Sequence, residues 1–151
     1  MFRVTQHIDF CYGHRLLNYD GKCRFLHGHN GQAVITLTGD RLDSRGMLVD
    51  FTDIKRSLRT WIDDCLDHRM ILHRDDPALP LLIEQGEPLH VISANPTAEN
   101  LAKLIFEFAI HQGLPVQDVV LWETSKSFAG YSGSTGDHDK PIESVVYPTS
   151  R

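Results

Sequence analysis

Residues 2–14 read FRVTQHIDFCYGH and alternate between apolar and mostly polar side chains. The apolar positions of one parity are Phe2, Val4, Ile8, Phe10 and Tyr12. Because successive side chains of a β-strand point to opposite faces, this alternation predicts a half-buried strand with one apolar face. His14 continues the apolar parity, so its imidazole is expected on the covered face of the sheet.

Downstream of this strand, hydrophobic periodicity predicts further strands and two helices. The strands are expected at about residues 29–38, 47–50, 116–124 and 128–131. The first helix is expected at residues 52–66, with Asp50 or Thr52 as its cap. The second should begin at Thr97, which suits an N-cap, and stop at Gly113, a natural C′ residue. Residues 72–96 contain several prolines and are expected to be largely irregular.

The predicted order β-β-β-α-α-β-β separates strands from helices, with short connections between the strands. This pattern is typical of an α+β fold in which an antiparallel β-sheet carries two helices on one face. The open edges of so small a sheet favour association with further copies of the chain. We assign residues 1–131 to a single domain and residues 132–151 to a polar C-terminal extension.

Composition and charge limit the classes of function. The chain has 151 residues, a formal net charge of −5 at pH 7 and 41% hydrophobic residues, which suits one compact domain. An acidic chain is a poor partner for nucleic acid or an anionic membrane, so neither is expected. The sequence has no apolar run long enough for a membrane span, no signal-peptide pattern and only three cysteines without framework spacing. We therefore expect a cytoplasmic protein.

Three histidines have the spacing of a metal centre. His27 and His29 lie two residues apart, so both imidazoles point to one side of a strand. If this strand pairs with residues 2–14, His14 joins them on the apolar face. Three neutral nitrogens leave the full charge on Zn²⁺ and one coordination position open, which is the composition of a catalytic site. A chance H-x-H pair is the ordinary alternative.

Cys23 allows two interpretations of that centre. In a closed structural site, Cys23 and the three histidines would all hold zinc, and nothing would be catalysed. Alternatively, Cys23 stays off the metal as a reactive thiol, since its neighbours Lys22 and Arg24 favour the thiolate form. The spacing leaves both interpretations open.

Four further positions carry polar side chains that could take part in binding or catalysis. Asp67 and His68 place a carboxylate beside an imidazole, although a solvated helix end is the simpler explanation. Thr97 is explained equally well by helix capping. Glu123 follows an apolar strand and needs a partner or a ligand there. The other two cysteines, Cys11 and Cys65, are interpreted as small core residues.

Taken in order, these motifs resemble those of the 6-pyruvoyl-tetrahydropterin synthase and 6-carboxytetrahydropterin synthase family. The resemblance covers roughly residues 2–131. After His14, the matching motifs are Cys23-x-x-x-His27-Gly28-His29-Asn30, Val49-Asp50-Phe51, Leu66-Asp67-His68, Pro96-Thr97-Ala98-Glu99-Asn100 and Trp122-Glu123-Thr124. Each motif is modest alone, whereas the ordered set is highly specific.

The resemblance implies a tunnelling fold that assembles through its strand edges, typically as a hexamer. By motif match, His14, His27 and His29 would be the ligands of Zn²⁺. Cys23 would be the catalytic base near the metal.

The same resemblance implies the remaining site residues and the substrate. Asp67 and His68 would form a proton relay supplied from a neighbouring subunit. Glu123 would anchor the guanidine-like edge of a pterin, and Thr97 would help line that pocket. The implied substrate is 7,8-dihydroneopterin triphosphate, and the implied macromolecular partners are further copies of the chain.

The resemblance also bears on which product is formed. The short spacing between Cys23 and the H-x-H pair is closer to the bacterial branch that forms 6-carboxy-5,6,7,8-tetrahydropterin, triphosphate and acetaldehyde on the route to queuosine. A pyruvoyl-forming synthase, a side-chain-cleaving relative and a non-catalytic zinc-stabilised assembly module are the alternatives. The chain departs from the family pattern in residues 125–131, in the tail beyond 131, and at Gly31, where the family commonly has an aromatic residue. Lys22, Arg24 and Arg15 could attract the phosphates.

Overall fold

The computed structural model describes residues 1–133 and 140–148, which include one mixed β-sheet. Its strands are β1 Phe2–His14, β2 His27–Gly39, β3 Arg69–His73, β4 Leu89–Ile92, β5 Val116–Thr124, β6 Ser127–Tyr131 and β7 Ser144–Tyr147. The strand order in the sheet is β6-β5-β2-β1-β3-β4-β7. β3 runs parallel to both β1 and β4, and the other neighbouring strands are antiparallel.

Local residues mark where the two long helices begin and where the last helix ends. Helix α1 is continuous over Phe51–Ile54, Lys55–Arg59 and Thr60–Cys65, α2 is Leu79–Glu84, and α3 is Ala98–His111. Asp50 caps α1 by accepting a hydrogen bond from the Thr52 amide at 2.8 Å. Gly113, just beyond α3, has a φ of +76°, which glycine adopts without a steric penalty. None of the helices in the described part of the chain is long and apolar enough to cross a bilayer.

The main core lies between the two long helices and one face of the sheet. It contains Ile8, Phe10 and Tyr12 of β1, Ala33, Ile35 and Leu37 of β2, and Ile54, Leu58, Ile62, Leu101 and Ile105 of the helices. These positions follow the predicted strand and helix periodicities. The short helix α2 packs elsewhere, because Leu79 joins a second cluster with Leu72 and Leu89. Leu72 alternates with Ile71 of the main core, so α2 covers the opposite face of β3 and β4.

Two of the predicted secondary-structure assignments are wrong. Residues 47–50 are irregular, with a bend at 48–49, rather than a strand, because the Asp43 carboxylate accepts hydrogen bonds from the amides of Arg45 and Met47 at 2.9 and 3.0 Å. Such side-chain bonds to the backbone compete with strand pairing. Residues 72–96 are also more regular than expected. Pro80 lies in the first turn of α2, where a missing amide hydrogen costs nothing, and Pro88 directly precedes β4.

The sheet is mixed rather than antiparallel, because β3 is reached through a helix and not through a hairpin. β3 follows α1 and enters the sheet beside β1 in the same direction, with Tyr12 opposite Arg69. A helical connection of this kind permits parallel pairing, which a hairpin does not. Part of the predicted extension also joins the sheet, since β7 pairs with β4. The division at residue 131 remains a prediction, and residues 134–139 and 149–151 of the extension lie outside the described residues.

The buried imidazole of His90 is expected to make the free energy of unfolding depend on pH under acidic conditions. Its imidazole is 1% exposed on the core face of β4, and Nδ1 donates to the Cys65 carbonyl at 2.7 Å. Nε2 is buried without a hydrogen-bond partner among the described residues. Burial therefore lowers the pKa of His90 and favours the neutral ring in the folded state.

Stability is consequently expected to fall as the pH drops below about 6.5, where the unfolded chain binds a proton that the folded chain excludes. The contribution is at most about 1.4 kcal/mol per pH unit. Urea unfolding at pH 7.5 and 5.5 measures it, and His90→Asn, which keeps a donor for the Cys65 carbonyl, is the comparison. Equal pH dependence in both proteins would contradict the assignment to His90.

Candidate active site

The pairing of β1 with β2 brings the three candidate histidines together. The antiparallel register is uninterrupted, with His14 opposite His27 and Tyr12 opposite His29. No bulge intervenes at Gly31, so the parity argument holds and all three imidazoles lie on the core face. Their ring centroids are 4.6 to 5.1 Å apart.

The hydrogen bonds of two rings direct their second nitrogens at one point. Nδ1 of His14 donates to the Pro96 carbonyl at 2.7 Å, and Nδ1 of His27 donates to the Phe25 carbonyl at 2.7 Å. A carbonyl only accepts, so in each neutral ring Nε2 keeps its lone pair. The two Nε2 atoms are 3.1 Å apart, and one nitrogen from each of the three histidines lies within 4.8 Å of the others. This orientation by carbonyls is typical of metal-ligating histidines.

The donor set fits a zinc ion. His14 is 3% exposed, and this burial lowers its pKa by more than the nearby Glu123 raises it, so the ring stays neutral and can ligate a metal. Among the described residues, the potential ligands grouped at this point are His14, His27 and His29. Three imidazoles leave a fourth tetrahedral position open.

Cys23 lies outside that group of ligand atoms. It occupies a single 3-10 turn, Lys22–Arg24, and is a half-buried free cysteine. Its carbonyl accepts a hydrogen bond from the Leu16 amide at 2.8 Å, which ties the turn to the chain directly after His14. This geometry favours the open interpretation over the closed four-ligand site.

Arg15 is occupied by a structural ion pair and is poorly suited to bind phosphate. Its guanidinium donates two hydrogen bonds to Asp76, one of them from Nε to Oδ2 at 2.7 Å. The Asp76 side chain is 0% exposed. Its burial tends to raise the pKa of Asp76, but the bonds from Arg15 hold that pKa below its usual range. Lys22 and Arg24 are exposed and remain candidates for phosphate binding.

The segment before α3 orients His14, a role that the sequence did not reveal. Asn95 forms a two-point contact with Leu17, accepting from its amide and donating to its carbonyl, both at 2.9 Å. Asn100 in turn donates to the Asn95 carbonyl at 2.9 Å. These bonds fix the loop whose Pro96 carbonyl accepts from His14. The sequence does contain a signal for this role, because Asn95 and Asn100 lie on either side of the Pro96-Thr97 pair at which α3 begins.

Glu123 and Thr97 come together beside the histidine cluster. They line one cavity of about 320 Å³. Thr97 also caps α3, because its hydroxyl accepts a hydrogen bond from the Asn100 amide at 3.3 Å. The predicted capping role of Thr97 is therefore confirmed as well. Oε1 of Glu123 lies 3.8 Å from Nε2 of His14, which places the cavity next to the open metal position.

Tyr12 orients Glu123 and accounts for the departure at Gly31. Its hydroxyl donates to Oε1 of Glu123 at 3.1 Å. Burial, with a contribution from Glu123, raises the pKa of Tyr12, so the phenol remains a donor. A Cβ at position 31 would lie 2.8 Å from Cε1 of Tyr12. The tyrosine ring therefore occupies the space that a side chain at residue 31 would need.

For the pterin that the motif resemblance implies as ligand of Glu123, Tyr12→Phe is expected to weaken binding by about tenfold, which corresponds to the roughly 1.4 kcal/mol of a hydrogen bond to a charged group. The reason is that Glu123 loses the donor that orients it. Fluorescence titration with a pterin measures the effect. Tyr19→Phe, which removes a hydroxyl from an exposed ring, is the control. Equal affinities of the two variants would contradict this role of Tyr12.

Asp67 and His68 form a hydrogen-bonded pair at the solvent-exposed end of α1. Oδ2 of Asp67 is 2.7 Å from Nδ1 of His68, and Oδ1 accepts from the Cys11 amide at 2.8 Å. Partial burial acts to raise the pKa of Asp67, but these bonds hold it below its ordinary value. The interpretation of Cys11 and Cys65 as core residues is wrong, because both are half-buried and neither belongs to a hydrophobic core cluster. Sγ of Cys11 instead lies 3.4 Å from Nε2 of His68.

The two polar groups lie on opposite faces of the sheet. Tyr12 and His14 face the core, so Cys11, which alternates with them on β1, faces away from it. Asp67 and His68 contact Cys11 and therefore lie on that other face. Within one chain, the ligand atoms of the pair form a group separate from those of the three histidines, although His68 lines one cavity of about 540 Å³ together with His27 and His29.

The fold has a clear match among solved structures. An uncharacterized protein of Wolinella succinogenes superposes with a TM-score of 0.72 at 26% identity, covering 88% of this chain and 98% of that one. The 6-pyruvoyl tetrahydropterin synthase of Caenorhabditis elegans superposes with a TM-score of 0.65 at 23% identity, covering 88% and 96%. The chain thus has the α+β tunnelling fold expected from its motifs.

Sequence comparison identifies the family. A family model described as 6-pyruvoyl tetrahydropterin synthase matches residues 3–134, and the chain belongs to this family. A 6-carboxy-5,6,7,8-tetrahydropterin synthase of Rickettsia typhi is 38% identical over 135 residues, which are 85% of this chain and 98% of that protein. A protein of the same name from Haemophilus influenzae is 32% identical, over 87% and 99% of the two chains.

Proposed function

We propose that this chain is a zinc-dependent lyase, a 6-carboxytetrahydropterin synthase. It converts 7,8-dihydroneopterin triphosphate to 6-carboxy-5,6,7,8-tetrahydropterin and releases acetaldehyde and triphosphate. The observation that carries the proposal is the open three-histidine cluster beside the cavity that contains Glu123 and Thr97. The relatives that bear the carboxy-forming name support this product over the pyruvoyl-forming alternative.

His14, His27 and His29 would hold the metal. Zn²⁺ bound there supplies Lewis acidity toward the hydroxyls of the substrate side chain. Glu123 accepts hydrogen bonds from the guanidine-like edge of the pterin, and Tyr12 keeps its carboxylate oriented. Lys22 and Arg24, exposed on the turn beside Cys23, attract the triphosphate.

The chain's own acid–base groups move the protons. Cys23 acts as the base that removes a proton from the substrate side chain, because it is free and lies outside the ligand group. Asp67 orients His68 through Nδ1, so Nε2 of His68 can accept and return a proton. These roles require His68 to approach a bound substrate.

A homo-oligomer, which we propose to be a hexamer, would bring His68 of one subunit to the substrate bound by another. The position of Asp67 and His68 on the sheet face opposite the histidines supports a site completed by a neighbouring subunit. Exposed apolar residues at the two edge strands, Phe128 and Val145, each 58% exposed, support association through those edges.

A complementation experiment tests the shared site. Cys23→Ala and Asp67→Asn should each be inactive alone, whereas a reassembled one-to-one mixture should recover up to about a quarter of wild-type activity by random assembly. No recovery from a mixed oligomer would indicate that each subunit uses its own relay. Two different variants of the same residue, Cys23→Ala and Cys23→Ser, give a control mixture that should stay inactive.

Product identification tests the reaction itself. The protein is incubated with 7,8-dihydroneopterin triphosphate, and the products are identified by mass spectrometry. Carboxytetrahydropterin together with acetaldehyde supports the proposal, and a pyruvoyl product supports the other synthase. Absence of both turnover and pterin binding would support a zinc-stabilised assembly module. We also propose a cytoplasmic location and a role in queuosine biosynthesis, consistent with three free cysteines.

A further inference from the structure

Cys11, His68 and Asp67 have the arrangement of a nucleophile, a base and an orienting carboxylate within one chain. Sγ of Cys11 lies 3.4 Å from Nε2 and 3.6 Å from Nδ1 of His68. Nδ1 of His68 is 2.7 Å from Oδ2 of Asp67. A base within hydrogen-bond reach of a thiol, itself oriented by a third group, is the arrangement that activates a cysteine.

The backbone holds this arrangement in place. The His68 amide donates to the Cys11 carbonyl at 2.7 Å, and the Cys11 amide donates to Oδ1 of Asp67 at 2.8 Å. His68 has a φ of +55°, a left-handed conformation that is uncommon for a residue other than glycine. Such a conformation persists when surrounding contacts determine it, as the two cross-links to Cys11 do here.

A small molecule can reach the thiol. Cys11 and His68 line the cavity of about 540 Å³ that His27 and His29 also line, and its wall includes the cross-strand pair Gly13 and Gly28. Neither glycine adds a side chain to that wall. The His68 side chain is 78% exposed, and Cys11 is half-buried.

We propose that Cys11 is an oxidation site that takes peroxides as its reactant. His68 accepts the thiol proton through Nε2, and the sulfur attacks one peroxide oxygen. The O–O bond breaks, an S–O bond forms, and His68 returns the proton to the departing hydroxide. Sulfur is oxidised by two electrons to the sulfenic acid, and hydrogen peroxide is reduced to one water.

Oxidation would also affect turnover, a consequence that rests on the proposed function. An oxygen bound to Sγ of Cys11 would lie against Nε2 of His68. It would then block the nitrogen that the proposed proton relay uses. A thiol reductant would remove it, since sulfenic acids are reversible. The oxidation itself requires neither the pterin substrate nor the metal.

Sulfenic acid trapping tests the site independently of activity. The full chain is treated with hydrogen peroxide and a cyclic 1,3-dione, and adducts are quantified by mass spectrometry. Cys11 and Cys65 fall on different tryptic peptides, residues 4–15 and 60–69. Cys65 is the internal reference because it is also half-buried and its burial raises its pKa. Cys11 should be labelled at least about ten times faster than Cys65, the effect expected from an adjacent general base.

His68→Gln is the deciding variant, because glutamine is polar and similar in size but does not accept the thiol proton. It should lower labelling of Cys11 to the level of Cys65 and leave labelling of Cys65 unchanged, which also reports that the fold is intact. The proposal is overturned if wild-type Cys11 reacts no faster than Cys65, or if Cys11 labelling persists in His68→Gln. Product identification with the substrate is a separate assay, so failure of one result does not imply failure of the other.

Discussion

His27→Ala is expected to lower bound zinc from about one ion per chain to less than about a tenth, and to abolish turnover. The Nε2 atom of His27 lies 3.1 Å from that of His14, and its Nδ1 is held by the Phe25 carbonyl. Removing this ring takes away a ligand that is already oriented, and two imidazoles do not hold a catalytic zinc ion firmly. Metal analysis of the purified protein measures the loss.

His111→Ala is the matched control for this prediction. His111 lies at the exposed end of α3, so its removal should leave both zinc content and turnover unchanged. Full zinc retention in His27→Ala would show that the metal is held elsewhere. Thermal unfolding of both variants with and without added zinc separates loss of the ion from loss of the fold, because an ion that binds the folded chain stabilises it.

Cys23→Ala is expected to reduce kcat by about a thousandfold or more while zinc stays near one ion per chain. The physical reason is that Cys23 lies outside the ligand group and is proposed to act only on protons. The measurement combines product formation with metal analysis of the same sample. Substrate affinity, measured by pterin fluorescence, should change much less than kcat.

The control for Cys23→Ala is Cys65→Ala, which removes a half-buried thiol from the end of α1 and should retain activity. Loss of zinc together with activity in Cys23→Ala would instead support the closed structural site. Full activity without the thiol would assign the base to another group. These outcomes distinguish the two interpretations that the spacing of Cys23 and the histidines leaves open.

Local patterns predicted much of this molecule. Alternation in β1 and the H-x-H spacing in β2 correctly brought His14, His27 and His29 to one face, because side-chain direction in a strand depends only on parity. The caps of α1 and α3 were predicted for a similar reason, since Asp50 and Thr97 bond amides only a few residues away. The tunnelling fold followed from the ordered motifs.

The missing strand at residues 47–50 has a local cause in the hydrogen bonds of Asp43, whereas two other errors came from contacts between distant segments. The parallel entry of β3 beside β1 depends on a partner far away in sequence. The ion pair of Arg15 with Asp76 spans a similar separation and removed a candidate phosphate ligand. Cys11, by contrast, could have been recognised, because its parity is opposite to that of Tyr12 and places it away from the core.

The order of amino acids was sufficient to specify which way the three histidines point and where the long helices end, because both depend on side-chain spacing along a single element. It also specified the family, through motifs that occur in a fixed order along most of the chain. The partners of Glu123 and Cys11 were decided only when the chain folded. Tyr12 meets Glu123, and Cys11 meets His68, across long sequence separations. Such contacts depend on strand order and register, which the whole packed sheet determines and no short stretch of sequence encodes.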